Sequence, residues 1–100
     1  MNISDVKIGG LYYLLLPAFE HYYEVVVNFP TKVGNWEAHD TIHVIYSTNC
    51  KNETFMVLET LEIAQYDKIL GDENCFWAKV LIEDKIGWIK VHKSYIKPVI

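Results

Sequence analysis

The chain has 100 residues, 51% of them hydrophobic, and its nine lysines and thirteen acidic residues give a formal net charge of −4 without any arginine. This length suits one domain with one core, and no apolar stretch approaches the ~18 residues that would cross a bilayer as a helix. The missing arginine removes the side chain best suited to bidentate phosphate contacts, and the acidic balance disfavours nucleic acid as a partner.

The first residues predict a protein that stays in the cytoplasm. Residues 1–10 carry Asp5 ahead of any apolar run and lack the basic start and cleavage site of a secretory signal. In a reducing compartment Cys50 and Cys75 are expected to remain thiols.

Seven short segments rich in Val, Ile, Tyr, Phe and Trp follow one another, each bounded by turn-forming residues. In chain order they are LYYLLL (11–16), YYEVVVNF (22–29), TIHVIYS (41–47), TFMVLETLEI (54–63), FWAKVLI (76–82), IGWIKV (86–91) and YIKPV (95–99). Residues 64–70 fit either the end of a bent strand or one helical turn. Short strands without a long amphipathic helix predict a single all-β domain over 1–100, a small barrel of five to seven strands.

The last third of the chain carries the most specific pattern. Trp77-Ala78-Lys79-Val80 is followed by a turn assigned to Asp84-Lys85 and then by Ile86-Gly87-Trp88-Ile89. Gly87 is expected to permit a bend or a close backbone approach. This pattern resembles the closing hairpin of bacterial Src-homology-three-like domains, and the resemblance extends over roughly residues 54–98.

Both ends of the chain fit the same resemblance. Residues 92–96, HKSYI, are similar to the short helical turn and final strand of these barrels. Residues 7–13 are similar to the opening strand of small barrel proteins encoded by phages and bacteria. The segment 30–53 has no counterpart in the family, which predicts an inserted loop or hairpin there.

The resemblance implies an aromatic groove that binds a protein or peptide without catalysis. The positions that match the family's groove are Tyr12 or Tyr13, Trp77 and Tyr95, and Trp88 of the closing hairpin is assigned to partner binding with them. Residues 19–24, which are acidic and aromatic, would flank this groove. The family's groove proline is absent, because Lys90, Val91 and His92 occupy that region, so recognition of proline motifs is not expected. Each aromatic residue could equally be a core residue of the barrel.

No metal or other cofactor is predicted. His39, His43, Cys50 and Cys75 are residue types that zinc accepts. Two histidines on one strand at this spacing would lie about 13 Å apart, so we interpret His43 as a strand residue. Only a turn at Asp40 could bring the two imidazoles together.

No catalytic residues are predicted either. Ser4, Ser47 and Ser94 lie outside any strand-elbow glycine motif, and Cys75 has no basic neighbour that would activate it. The paired carboxylates at 72–73 and 83–84 fall in predicted turns, where solvation explains them.

Two alternatives to peptide binding stay open at this stage. The barrel could be a structural subunit of a larger assembly, such as one derived from a phage, that pairs through its strand edges and its apolar end at 98–100. It could also bind single-stranded nucleic acid weakly, because residues 79–100 hold five lysines against two acids and alternate basic with aromatic side chains. The sequence does not distinguish a monomer from a homo-oligomer, and no membrane partner is expected.

Overall fold

A computed structural model of the protein describes residues 1–27, 41–46, 53–62 and 74–99. All seven predicted segments contain a strand. The strands are β1 (Leu11–Leu14), β2 (Tyr22–Val26), β3 (Thr41–Tyr46), β4 (Phe55–Glu62), β5 (Cys75–Ile82), β6 (Lys85–His92) and β7 (Ile96–Pro98). The predicted all-β fold is therefore confirmed. Among the described residues, no helix is both long and apolar enough to traverse a membrane.

The short helical turn expected before the last strand and the insert expected at 30–53 can be compared with the structure. The segment before β7 is a turn closed by the Tyr95 N–H, which donates to the His92 carbonyl at 3.0 Å. Among the described residues, a 3-10 helix lies at Ile3–Asp5 instead. β3 occupies part of the segment 30–53, while residues 30–40, 47–52 and 64–70 lie outside the described residues.

The seven strands form one antiparallel sheet in the order β3-β2-β6-β5-β4-β1-β7, curled into a half-barrel. Its centre is the β5–β6 hairpin, which is paired without interruption from Cys75 opposite His92 to Ile82 opposite Lys85. The hairpin joins two halves, since β2 pairs with β6 on one side and β4 pairs with β5 on the other.

Alternation of side chains gives the sheet two distinct faces. We call the face that carries the hydrophobic core the inner face, and the opposite one the outer face. The core side chains that are at most 1% exposed come from five strands, and they are Val25, Phe55, Val57, Phe76, Ala78, Val80, Ile82, Ile89, Val91 and Ile96. Burying each large member contributes about 1.5–3 kcal/mol, so the inner face supplies most of the driving force for the curl.

A β-bulge changes this alternation in β4. Val57 stands opposite Val80, but the next registered pair is Glu59 opposite Lys79, so one extra residue, Leu58, is accommodated between them. Beyond the bulge Glu59 shares the outer face with Lys79. The bulge thus moves a carboxylate away from the core and places it beside a lysine.

The turn between β5 and β6 lies one residue earlier than the sequence predicted. Lys85 pairs with Ile82 and belongs to β6, so the turn consists of Glu83 and Asp84, which have φ angles of 46° and 61°. Two successive positive φ angles characterise the tight type I′ turn, whose twist matches that of the flanking strands. Neither residue is a glycine, so both hold a left-handed backbone that is unfavourable for side chains with a Cβ atom.

We expect Asp84→Gly to stabilise the protein by about 0.5–1 kcal/mol. A left-handed residue costs about 1–2 kcal/mol, and the greater flexibility of unfolded glycine offsets about 0.5–1 kcal/mol of the gain. Urea denaturation of the wild type, Asp84→Gly and Asp84→Ala measures this effect. The alanine variant keeps the Cβ atom, so stabilisation by both substitutions would contradict the backbone explanation.

Gly87 marks a close approach between β6 and the β2–β3 hairpin. A Cβ atom at this position would lie 2.6 Å from Ile42 Cδ1, 2.7 Å from Val25 Cγ1 and 2.7 Å from the carbonyl oxygen of Val26. The first two contacts are with side chains, but the third is with backbone that cannot move without disturbing β2. The close approach predicted for Gly87 is therefore present, and its reason is the crossing of β6 by the β2–β3 hairpin.

Replacing Gly87 by alanine should destabilise the protein by about 2–3 kcal/mol, because overpacking a filled site forces the backbone to shift. The matched control is Ile86→Ala on the neighbouring exposed position, for which a change within about 0.5 kcal/mol is expected. Equal losses for the two variants in thermal and urea unfolding would show that the crossing does not constrain this position.

Candidate functional site

A depression of about 440 Å³ lies beside the central hairpin, and we call it the outer groove. It is formed by the segment before β2, by β2 itself and by one residue each from β5 and β6. Its lining residues are Phe19, Glu20, His21, Tyr22, Tyr23, Glu24, Val26, Trp77 and Lys90.

Trp77 contributes to the groove from the outer face of the sheet. Its neighbours Phe76 and Ala78 belong to the hydrophobic core, whereas Trp77 does not, so its side chain projects in the opposite direction. It is nevertheless only 4% exposed. Across the strands it stands between Leu61 of β4 and Lys90 of β6. A tryptophan covered on the outer face gives the groove a rigid apolar base.

Two aromatic side chains stand at the rim of the groove. Phe19 is 74% exposed and Tyr22 is 51% exposed. The ring of Tyr22 lies 6.4 Å from the ring of Tyr46 on β3, in a tilted arrangement. Large exposed aromatic surfaces next to a depression are characteristic of sites that contact a partner.

The charged residues of the lining have both signs. Glu20 and Glu24 come from the β1–β2 side, and Lys90 comes from β6. Apart from His21, the lining holds two carboxylates and one ammonium group, a small excess of negative charge. The groove therefore combines apolar contact area with groups that can form charge-assisted hydrogen bonds.

Tyr12 and Tyr13 lie outside the groove's lining. Tyr12 is 4% exposed and belongs to the core, where its hydroxyl oxygen accepts a hydrogen bond from the Lys7 N–H at 2.7 Å. Tyr13 lies on the other face of β1 and stands opposite Lys97 of β7. Since β4 separates β1 from β5 in the sheet, neither tyrosine is adjacent to Trp77.

Tyr95 and Trp88 occupy two further environments. Tyr95 packs against the core, stacks on His92 with ring centroids 4.4 Å apart, and meets the edge of Tyr23 at 6.3 Å. Trp88 lies on the outer face opposite Lys79, and it forms the registered pair with Val26 that joins β6 to β2. Of the five predicted partner-binding residues, Trp77 is the one that lines the outer groove.

No family model matches the chain, and no curated protein or solved structure shows significant similarity to it.

The flanking segment 19–24 lines the groove, while Val26 and Lys90 were not identified from the sequence. Their contribution depends on the register of β2, β5 and β6. The alternation of Trp88, Lys90 and His92 along β6 signals a shared face, but it does not reveal which residues of β5 lie opposite.

A separate polar cluster was also missed, and we call it the His43 cluster. His43 Nε2 lies 2.5 Å from Glu53 Oε2, and His43 Nδ1 lies 3.7 Å from Glu83 Oε2. The three residues are contributed by β3, by the segment before β4 and by the β5–β6 turn. Glu53 and Glu83 follow His43 by 10 and 40 positions in the sequence, so no local motif indicates that the three residues meet. His39 and Cys50, which were weighed as zinc ligands with His43 and Cys75, lie outside the described residues.

The placement of Tyr12 in the core leads to a simple prediction. Tyr12→Phe should lower the free energy of unfolding by about 1 kcal/mol, because it removes the acceptor of the partly buried hydrogen bond from the Lys7 N–H. Tyr13→Phe is the matched control, and chemical denaturation measures both variants. Equal stabilities of the two variants would contradict this role for the Tyr12 hydroxyl.

Proposed function

We propose that this small barrel, of the Src-homology-three type that its closing hairpin resembles, is a non-catalytic module that binds a protein segment in the outer groove. The segment would present an apolar or aromatic anchor next to a basic residue. The observation that carries this proposal is the pairing of exposed Phe19 and Tyr22 with the covered Trp77 around one depression.

The size of the groove supports a short peptide segment as the ligand. About 440 Å³ falls within the range of about 300–1,000 Å³ that is usual for ligand sites. That volume accommodates one or two side chains rather than a whole folded domain. A peptide would therefore insert its anchor and lay its backbone along the rim.

The chemistry of the rim supports an apolar anchor. Aromatic residues dominate the binding energy of protein interfaces, because they bury a large area at a small cost in side-chain entropy. Phe19 and Tyr22 can supply such contacts when a partner covers them. Trp77 is already covered within the chain, so it holds the shape of the groove and does not offer new contact area.

The charges of the lining support a basic neighbour for the anchor. Glu20 and Glu24 can accept hydrogen bonds from a lysine or arginine of the ligand, which slows dissociation and selects against acidic segments. Lys90 could at the same time meet a carbonyl or carboxylate of the ligand.

Single-stranded nucleic acid is less well supported as the ligand. The register places Trp77, Lys79, Trp88 and Lys90 together on the outer face of the β5–β6 hairpin, a combination that favours base stacking in other small barrels. Trp77 is only 4% exposed, however, and cannot offer its ring to a base. The two glutamates of the lining would also repel phosphates.

The proposal is tested by selecting peptides from a displayed random library on the wild-type protein and measuring their affinity by fluorescence anisotropy. Phe19→Ala/Tyr22→Ala should weaken binding at least about tenfold, a loss of about 1.4 kcal/mol. Ile8→Ala/Leu11→Ala is the matched control, because both residues are exposed apolar side chains that do not line the groove, and it should bind like the wild type. Glu20→Gln/Glu24→Gln should weaken basic peptides more than neutral ones.

Three results would contradict the proposal. One is a set of selected peptides whose affinity does not change in the Phe19→Ala/Tyr22→Ala variant while the variant remains folded. Another is an oligonucleotide that binds more tightly than any peptide and perturbs the amide resonances of Lys79 and Trp88. The third is an obligate oligomer, found by sedimentation at low concentration, in which Phe19 is protected from solvent, because that result would favour a structural subunit.

A further inference from the structure

The His43 cluster brings together three potential metal ligands from separate parts of the chain. The ligand atoms of His43, Glu53 and Glu83 all lie within 4.8 Å of one another. The side chains of His43 and Glu53 are 12% and 22% exposed, and that of Glu83 is 64% exposed. His43 in β3 and Glu53 in the segment before β4 are therefore largely covered, while Glu83 lies at the open end of the cluster.

The spacing is wider than that of an occupied metal site, but a change in one exposed side chain can close it. Nitrogen and oxygen ligands bind zinc at about 2.0–2.2 Å, so two ligands at a tetrahedral angle lie about 3.4 Å apart. The ligand atoms of the cluster lie within 4.8 Å of one another, so an ion would draw the most separated pair together by up to about 1.4 Å, while His43 Nε2 and Glu53 Oε2, now 2.5 Å apart, would separate. Glu83 is the most exposed member and lies in the turn, so rotation of its side chain can supply that movement without displacing β3 or β4.

The charges of the cluster favour a dication. Two carboxylates carry two negative charges, whereas the one imidazole can supply at most one positive charge. A divalent ion would be attracted by both carboxylates and would coordinate either ring nitrogen of His43. His43 stands opposite the fully buried Val25, so the partly desolvated position strengthens these electrostatic interactions.

The donor set indicates the class of metal. One imidazole nitrogen and two carboxylate oxygens suit zinc and other divalent first-row transition ions, whereas calcium and magnesium prefer oxygen ligands alone. We propose that His43, Glu53 and Glu83 bind one divalent first-row transition metal ion, with water in the remaining coordination positions. This inference does not depend on the outer groove.

A bound ion would connect parts of the fold that are distant in sequence. His43 belongs to β3 and Glu83 to the β5–β6 turn, and β3 is attached to the hairpin through β2. Coordination would add a direct link between β3 and that turn. Because the ion binds the folded chain, it should raise the unfolding temperature, and the increase should grow with the logarithm of the ratio of ion concentration to Kd.

The test is isothermal titration of the metal-free protein with Zn²⁺, together with visible absorption of the Co²⁺ form. We expect one Zn²⁺ per chain and cobalt d–d bands of a nitrogen and oxygen site, without the thiolate charge-transfer band that binding to Cys50 or Cys75 would produce. Mg²⁺ at the same concentration should give no comparable heat. Glu83→Gln should weaken Zn²⁺ binding at least about tenfold, in line with the loss of a ligand.

The controls separate the cluster from adventitious sites. Glu62→Gln removes an exposed carboxylate of β4 outside the cluster, and His21→Gln removes an imidazole of the outer groove; both variants should bind Zn²⁺ like the wild type. Glu83 lies in an exposed turn, so its substitution is expected to leave the fold intact even if His43→Gln does not. The proposal is overturned if Zn²⁺ fails to bind, if Glu83→Gln binds it as tightly as the wild type, or if the Co²⁺ form shows the thiolate band.

Discussion

The close crossing at Gly87 is the constraint on which both candidate sites depend. The β2–β3 hairpin approaches β6 so closely that a single methyl group at this position would meet the Val26 carbonyl oxygen at 2.7 Å. Within the described residues, β2 and β6 share one registered pair, Val26 opposite Trp88. Because the β2–β6 ladder is so short, the position of the β2–β3 hairpin relative to the β5–β6 hairpin is fixed mainly by the contact at Gly87 and by the core residues packed beneath it. Tyr22 and Glu24 share the outer groove with Trp77, and His43 lies beside Glu83, only while the crossing is maintained.

The two faces of the sheet are organised by different physical effects. The inner face is a continuous core built from Val, Ile, Leu and Phe side chains, in which the hydrophobic effect dominates. The outer face of the β5–β6 hairpin instead alternates tryptophan with lysine, and Glu59 extends this pattern onto β4. Trp77 is buried although it does not belong to the core. A small curled sheet can therefore cover an aromatic side chain on each of its two faces, and Trp77 on the outer face gives shape to the outer groove.

The strands could be predicted from the sequence because each carries its own β-branched and aromatic run, and the glycine of the hairpin could be interpreted from its position before Trp88. The position predicted for the β5–β6 turn was wrong by one residue, since Glu83-Asp84 lacks the glycine that usually marks a type I′ turn. The composition of the groove was harder to predict. Alternation says that Tyr12 and Tyr13 occupy opposite faces, but it does not say which one joins the core.

The His43 cluster could not be predicted from the sequence for a related reason. Its members meet through the pairing of β3 with β2 and of β5 with β6, and register of this kind depends on the packing of the whole sheet rather than on neighbouring residues. A histidine within an apolar strand gives no indication of the carboxylates that face it. Similarly, the sequence showed residues 19–24 as acidic and aromatic but not which strands lie beneath them.

The β-bulge in β4 has a consequence for how this chain can vary. Leu58 is an extra residue that shifts the alternation of β4 by one position, so the side chains before it and after it follow opposite inner-and-outer patterns. If β4 paired with β5 without the bulge, Leu58 would stand opposite Lys79 and every later residue would change face, so that Glu59 would turn toward the core opposite Ala78. Deleting Leu58, by contrast, would leave a regular strand in which Glu59 still stands opposite Lys79. Substitutions along this strand can be absorbed one at a time, whereas loss of the bulge with Leu58 retained would act on the whole distal half at once.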